Sequence, residues 1–419
     1  MSKRIYQVQE KVPNSLLLPL SVQHTFAMFG ASVLVPLIFN IDPGVVLLMN
    51  GIGTLLFILI TKGKAPAYLG SSFAFLGPSS IIIANQGFEF AQGAFVTTGI
   101  LGCVLAYVIY KFGTDWIDIV LPPASMGAVV ALIGFELAAA TVNGGAIGAN
   151  LMTDTATSKD IIIFLVTLGT AVIGSVAFKG FFSAIPILIA IITGYITAFC
   201  FGMVDLSGIM SKGLITIPTF QMAKFSLNAS LTMLPVMLVL TSEHISHQVV
   251  TSNIVGKDLL KDPGLHRSIF ADNFSTALSG LVGGVPTTTY GENIGVMAIT
   301  GVYSVQVIGG AAIISMLMAF IGPLSQLIKS LPGDVIGGVT FLLYGMIGTS
   351  GIRLLVEKKV DYSKSSNLVL TSIVFVAGLS GLTVKFMSIE LKGMVLASVV
   401  AVSVSLLFYI LKRLNIINE

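Results

Sequence analysis

LPPASMGAVVAL at residues 121–132 returns as LPGDVIGGVTFL at residues 331–342. Leucine, proline, glycine, valine and leucine coincide without a gap at an offset of 210. Outward from this pair, Gln23-His24 answers to Glu243-His244 at an offset of 220, and Gly70 answers to Gly291. The matches keep one order in both halves, so the chain reads as two related halves.

Each copy lies in an apolar block. Of 419 residues, 55% are hydrophobic and 10% charged, where a soluble domain carries about 25% charge. That little charge cannot coat a soluble core of this size. The blocks approach the ~20 residues that cross a ~30 Å hydrocarbon core as a helix, and they lack the two-residue alternation of barrel strands. An all-α integral membrane protein follows, with the lipid bilayer as its first partner.

Fourteen segments are expected at 14–39, 44–61, 71–84, 93–110, 115–140, 160–178, 181–201, 229–252, 265–281, 292–301, 305–327, 334–356, 367–382 and 391–411. The repeat sets segments 1, 3 and 5 opposite 8, 10 and 12. Each half then holds seven segments, an odd number, so the second half enters the membrane in the opposite orientation. Inverted repeats of this kind are common in transporters. With the N-terminus inside, 16 of the 22 Lys and Arg residues fall on the inner side, Lys3, Arg4 and Lys359 among them. The other six, Lys159, Lys212, Lys224, Lys329, Lys385 and Lys392, fall outside. This bias places both ends in the cytoplasm. Met1–Pro13 lacks a signal-peptide pattern, so the first block is expected to remain as a spanning helix. Cys103 and Cys200 lie apart inside apolar blocks and imply neither a disulfide framework nor a metal site.

Segments 3 and 10 are too short to span as helices. Pro66, Gly70 and Pro78 interrupt one; Gly283, Gly284, Pro286, Gly291 and Gly295 interrupt the other. Ala65–Leu69 and Pro286–Tyr290 are expected as short extended strands, each followed by a glycine and a short helix. Broken helices near the midplane are where such transporters bind substrate, and irregular backbone at that depth requires burial in protein or a cavity.

Ionisable residues inside the apolar blocks are His24, Glu136, Glu243, His244, His247, Asp272 and Glu292. An acid at a helix centre costs roughly 2.5–3.5 kcal/mol on insertion scales. Glu243 and His247, four apart, share one helical face, while His244 points elsewhere. Glu292 follows Gly291 at a broken-helix start. Two carboxylates, a histidine and free backbone N–H groups are thus expected around one cavity. A structural reading stands beside each. The structural alternative is an interhelical acceptor for Glu243, a helix N-terminal charge for Glu292 and a satisfied core histidine for His247, with the site reading preferred for all three. His244, Glu136 and Asp272 are read as structural contacts. Phe73 is singled out only by its place three residues after Gly70. The chain has no Walker A sequence, HExxH, G-x-S-x-G or TVGYG-like filter, and no zinc-spaced Cys/His cluster. It reads as a transporter and not an enzyme, with no cofactor.

Glu292-Asn293-Ile294-Gly295-Val296-Met297-Ala298-Ile299-Thr300-Gly301 resembles the signature of the nucleobase–ascorbate transporter family. That signature is an acid, Gln or Pro, then N-x-G-x-x-x-x-T, then Arg, Lys or Gly. An acid in first place resembles the family's uracil branch; Gln there is typical of xanthine and urate carriers. SVQHTFAMFGASVLVP from Ser21, PAYLGSSFAF from Pro66, KDLLKDPGLHRS from Lys257 and TTTYGENIGVMAIT from Thr287 resemble the same bacterial branch. Gly301 stands where uracil carriers often have Arg.

The resemblance implies a core domain (1–112 and 229–330) and a gate domain (113–228 and 331–419). It implies proton-coupled uracil import by alternating access across the cytoplasmic membrane, and homodimers through the gate domains. Carriage of another nucleobase, or anion exchange on the same architecture, is the alternative. By match to the family pattern, Glu243 and Glu292 accept from the ring N–H groups, and His247 meets a substrate oxygen. Phe73 covers the ring, the backbone at Tyr290 and Gly291 donates to a carbonyl, and Tyr344 reaches in from the gate. Glu292 and His247 are the expected proton carriers. The chemistry is complementary: uracil offers two N–H donors, two carbonyls and a flat face.

Overall fold

A computed structural model of the chain describes residues 5–144, 148–209, 213–386 and 389–416. Lys3, Arg4 and Lys212 lie outside the described residues. The fourteen segments are present as α1 (Asn14–Ile38), α2 (Pro43–Ile60), α3 (Leu76–Gln86), α4 (Phe88–Phe112), α5 (Pro123–Leu137), α6 (Ser158–Ala177) and α7 (Pro186–Cys200). The second half follows as α8 (Val236–Val255), α9 (Leu265–Leu281), α10 (Gly291–Thr300), α11 (Val305–Met318), α12 (Gly333–Glu357), α13 (Ser365–Leu379) and α14 (Gly393–Arg413). Among the described residues, eight helical stretches are long and apolar enough to cross a membrane. α3 and α10, with 11 and 10 residues, reach about 15 Å each, half the hydrocarbon thickness.

Local chemistry explains the boundaries. The Asp42 side chain caps the N–H of Gly44, with Pro43 in the first turn of α2. Thr157 and Asp160 form a capping box that opens α6. Segments 5, 8 and 11 are each split. Ile117–Val120 precedes α5 across Leu121-Pro122, Leu227–Met233 precedes α8 across Leu234-Pro235, and Gly322–Lys329 follows α11 with Pro323 in its first turn. Proline supplies no N–H to the helical ladder, which interrupts the run at these places.

Two antiparallel strand pairs complete the fold. β1 (Leu69–Ser71) pairs with β2 (Thr287–Thr289), Leu69 opposite Thr289 and Ser71 opposite Thr287. This pair joins the two broken segments and satisfies their extended backbone away from water. The second pair, β3 (Thr383–Phe386) with β4 (Ile389–Lys392), is a hairpin between α13 and α14 that the sequence reading did not anticipate.

Helices α1–α4 and α8–α11 pack around β1 and β2; α5–α7 and α12–α14 form a second group. The repeat is visible in the packing. α4 lies against α9 as α11 lies against α2, and α6 against α7 as α13 against α14. The repeated stretch supplies the self-related contact, α5 on α12. A Cβ on Gly134 would strike the carbonyl of Tyr344, and one on Gly351 the backbone of Ala131. Small residues let these two backbones meet, the usual means of helix packing in lipid, where apolar area alone drives nothing together.

If the segments cross in turn, the loop after α5 and the loop after α12 lie on opposite faces of the membrane. The Asn150 N–H is tied to Asp334, so exposed Asp154 in the same loop is the better probe. With both native cysteines replaced, Asp154→Cys should react with an impermeant thiol reagent on intact cells. Lys359→Cys should react only after permeabilisation. The same sidedness at both positions would break the fourteen-segment count.

Candidate substrate site

Each central strand hands over to a helix start. Ser72 leads into the 3-10 turn Phe73–Phe75 and α3, while Tyr290 is the N-cap of α10. The first N–H groups of a helix have no partner within it, and its N-terminus carries partial positive charge. Two such ends therefore meet across the strand pair.

Tyr290 locks this junction. Its N–H donates to Tyr68 O at 3.2 Å, and its hydroxyl donates to Ser71 O at 3.0 Å. The tyrosine ring fills the place a Cβ on Gly70 would take, which is why glycine stands at 70. This corrects one expectation. The Tyr290 N–H, assigned above to a substrate carbonyl, is taken up by the chain itself, and Gly291, which is exposed, is left as the donor at this end.

Phe73 and Tyr344 come together from the two helix groups. Their ring centroids are 5.8 Å apart at 78°, edge to face, and both are buried. Phe73 is therefore not lipid-facing. The α5–α12 contact at Gly134 sets the depth of Tyr344.

On α8, Glu243 and His247 face the same region. His247 Nδ1 lies 3.0 Å from Thr289 Oγ1 of β2, and its Nε2 is 3.5 Å from where a Cβ on Gly291 would sit. One ring nitrogen is thus held by the strand and the other reaches the start of α10. Glu243 is 8% exposed. Its Oε2 has no partner among the described residues, a buried acceptor that calls for a donor. It faces the charges of Asp272 and Glu292. Glu292 sits half-buried in the first turn of α10.

The remaining acids and histidines are held elsewhere. His244 Nδ1 pairs with Asp272 Oδ2 at 2.9 Å inside the first helix group. Glu136 accepts from the N–H of Met394 at 2.7 Å. The sequence reading gave His24 no partner; in the fold its Nδ1 lies 2.9 Å from Asn293 Oδ1, both fully buried. Asn293 is inside the N-x-G signature, the one signal that could have singled it out. Thr289, which holds His247, was also missed. No group of three or more His, Cys, Asp or Glu among the described residues could hold a metal ion.

A family model described as "Permease family" matches residues 16–387. A uracil permease of Escherichia coli (strain K12) is 51% identical over 416 residues, covering 99% of this chain and 96% of that one. A uracil permease of Paenibacillus larvae subsp. larvae is 48% identical over 421 residues, covering all of both chains. In fold, murine solute carrier 26 family member A9, an anion transporter solved in the inward-facing state, superposes with a TM-score of 0.71. At 11% identity it covers 96% of this chain and 69% of its own, and it shares the architecture alone.

Proposed function

This chain belongs to the permease family whose model spans residues 16–387, and from that premise we propose that it carries uracil across the cytoplasmic membrane together with a proton, by alternating access. The observation that carries this reading is the buried Glu243 with an unpartnered Oε2, set beside two helix starts and the Phe73–Tyr344 ring pair. Uracil supplies the missing donors. Its ring N–H groups donate to Glu243 and Glu292. Its carbonyls accept from the Gly291 N–H and from Nε2 of His247, directly or through a water. Its face lies against Phe73, while Tyr344 closes the site from the opposite group. Two carboxylates on the cavity oppose a free anion, which separates this site from anion carriage on the same fold.

In this reading α1–α4 with α8–α11 are the core and α5–α7 with α12–α14 the gate. The substrate rides on the core, and the core–gate seam opens to one side at a time. Both termini are cytoplasmic, and the exposed apolar surface of the gate is where a second copy would pack. A neutral base gains nothing from the membrane potential. Accumulation therefore needs a co-transported ion, and Glu292 and His247 are the titratable groups that touch both the substrate and the start of α10.

Competition against labelled uracil in proteoliposomes tests the assignment. Excess uracil should suppress uptake fully. Xanthine and hypoxanthine should compete little, because a second fused ring needs room beside the buried Phe73–Tyr344 pair. Cytosine reverses a donor and an acceptor and leaves buried groups unpaired, so it should bind more weakly by a factor of up to ~10⁴. Xanthine competing as well as uracil would remove the uracil assignment.

A further inference from the structure

Glu136 is an acid that the substrate site does not use. It lies near the end of α5, and its Oε2 accepts from the N–H of Met394 at 2.7 Å, in the first turn of α14. A carboxylate is well placed there, because a helix N-terminus carries partial positive charge. Gly393 just before has φ +56, and the carboxylate fills the place its Cβ would take. The other carboxylate oxygen faces the opposite helix group. A Cβ on Gly77 of α3 would lie 3.5 Å from Glu136 Oε1 and 4.0 Å from Cε of Met394. A small cavity marks the same seam, lined by Gly77, Ile81 and Thr232 on one side and by Glu136, Glu390 and Lys392 on the other. Strand β4 packs on Leu227–Met233 beside it. One end of the core–gate seam is therefore shut at this place.

The repeat supplies a counterpart for comparison. The offset of 221 that carries Gly70 onto Gly291 carries Ala74 onto Gly295 and Gly77 onto Ala298. Ala74 is buried and Gly77 half-buried, whereas Gly291, Gly295 and Ala298 are all exposed. No described atom stands within 4 Å of a Cβ on Gly295. Equivalent faces of the two half-helices are thus covered on α3 and open on α10.

We propose that Glu136 is the latch of the outer gate: one carboxylate oxygen holds the start of α14, the other faces Gly77 across the seam, and the two sides must part here before substrate enters from outside. The inference rests on the alternating-access reading above. A Cβ at 77 would rest in ordinary van der Waals contact with the carboxylate and with Met394, so a small side chain can be placed there as a probe without forcing the seam apart. Glu136 is a positioning residue; it does not touch the substrate.

The test is a cross-link across the seam. In a background with Cys103 and Cys200 replaced, Gly77→Cys and Met394→Cys are joined by a short, reducible thiol reagent in proteoliposomes. Uracil uptake should fall by about tenfold or more and return on reduction, because the motion that admits substrate is blocked. Equilibrium binding of uracil to the linked protein in detergent should change by less than about threefold, since the site is reached from the other end. A third substitution, Ala298→Cys, should stay reactive to a small thiol reagent in the linked protein. Linked protein that carries uracil at the unlinked rate would overturn the latch, and so would loss of reactivity at Ala298→Cys. If Gly77→Cys prevents folding, Thr232→Cys with Glu390→Cys spans the same seam and carries the same expectations. The unlinked protein reports separately on transport: if it carries no uracil, the transport reading fails, and the latch is judged by the labelling arm.

Discussion

Glu243→Ala should abolish measurable uracil binding while the protein still inserts and melts near the parent temperature. Glu243 is buried with a free acceptor oxygen, so its ring N–H partner on the substrate has no substitute when the carboxylate is gone. Removing one partner of a desolvated, charged hydrogen bond costs about 2–5 kcal/mol, or roughly 30- to 4,000-fold in affinity. The empty protein should tolerate the change, because Oε2 of Glu243 holds no partner among the described residues and its charge lies near those of Asp272 and Glu292. Equilibrium binding on detergent-purified protein, with a thermal melt as the folding control, is the measurement. Near-normal affinity in a well-folded variant would remove Glu243 from the site.

The second large effect is expected at Glu292. One proton crossing with uracil contributes about 2.3 kcal/mol per 100 mV of membrane potential, enough for roughly forty-fold accumulation before any pH gradient is added. Two carboxylates turned toward the same region repel each other, and a proton on Glu292 would remove that repulsion while its carbonyl oxygen can still accept from a ring N–H. Under the proposed coupling, protonation outside permits tight binding and release inside weakens it. Glu292→Gln mimics the protonated form permanently. It should keep some binding, lose most of its pH dependence and lose proton-driven accumulation, although exchange of internal for external uracil should survive. Uptake into proteoliposomes with an imposed pH gradient, with and without a protonophore, measures this. Unchanged gradient-driven accumulation by Glu292→Gln would end its role as proton carrier. Parent transport indifferent to the protonophore would end proton coupling itself.

Much of the architecture is legible along the chain because it depends on local properties. Block length and hydropathy set the spanning helices. Pro and Gly placed the two interruptions, Thr287–Thr289 marked one extended stretch, and the match between 121–132 and 331–342 paired segments 5 and 12 as copies in opposite halves, though not as a contact. The same local rules account for the splits at Pro122, Pro235 and Pro323, which length alone hid inside segments 5, 8 and 11. The hairpin of β3 and β4 escaped because eight strand residues between two apolar helices look like an ordinary loop.

The helical face of Glu243 and His247 was readable from their spacing of four, and so was the different direction of His244. What each face meets was not. Periodicity states which side of a helix is turned inward, but a hydrogen bond needs a partner at about 3 Å, and the partners here come from distant parts of the chain. Tyr290 gives its hydroxyl to Ser71, 219 residues away, and Glu136 takes the N–H of Met394, 258 residues away. Only the folded chain decided that the Tyr290 N–H belongs to Tyr68 and not to the substrate. The sequence by itself determined two inverted halves, two broken helices and the acids beside them, since hydrophobicity and backbone breaks act within a few residues. Tertiary structure alone decided which of the two half-helices is covered, because the repeat sets α3 and α10 in corresponding places and only their packing against the other helix group shows which face is covered.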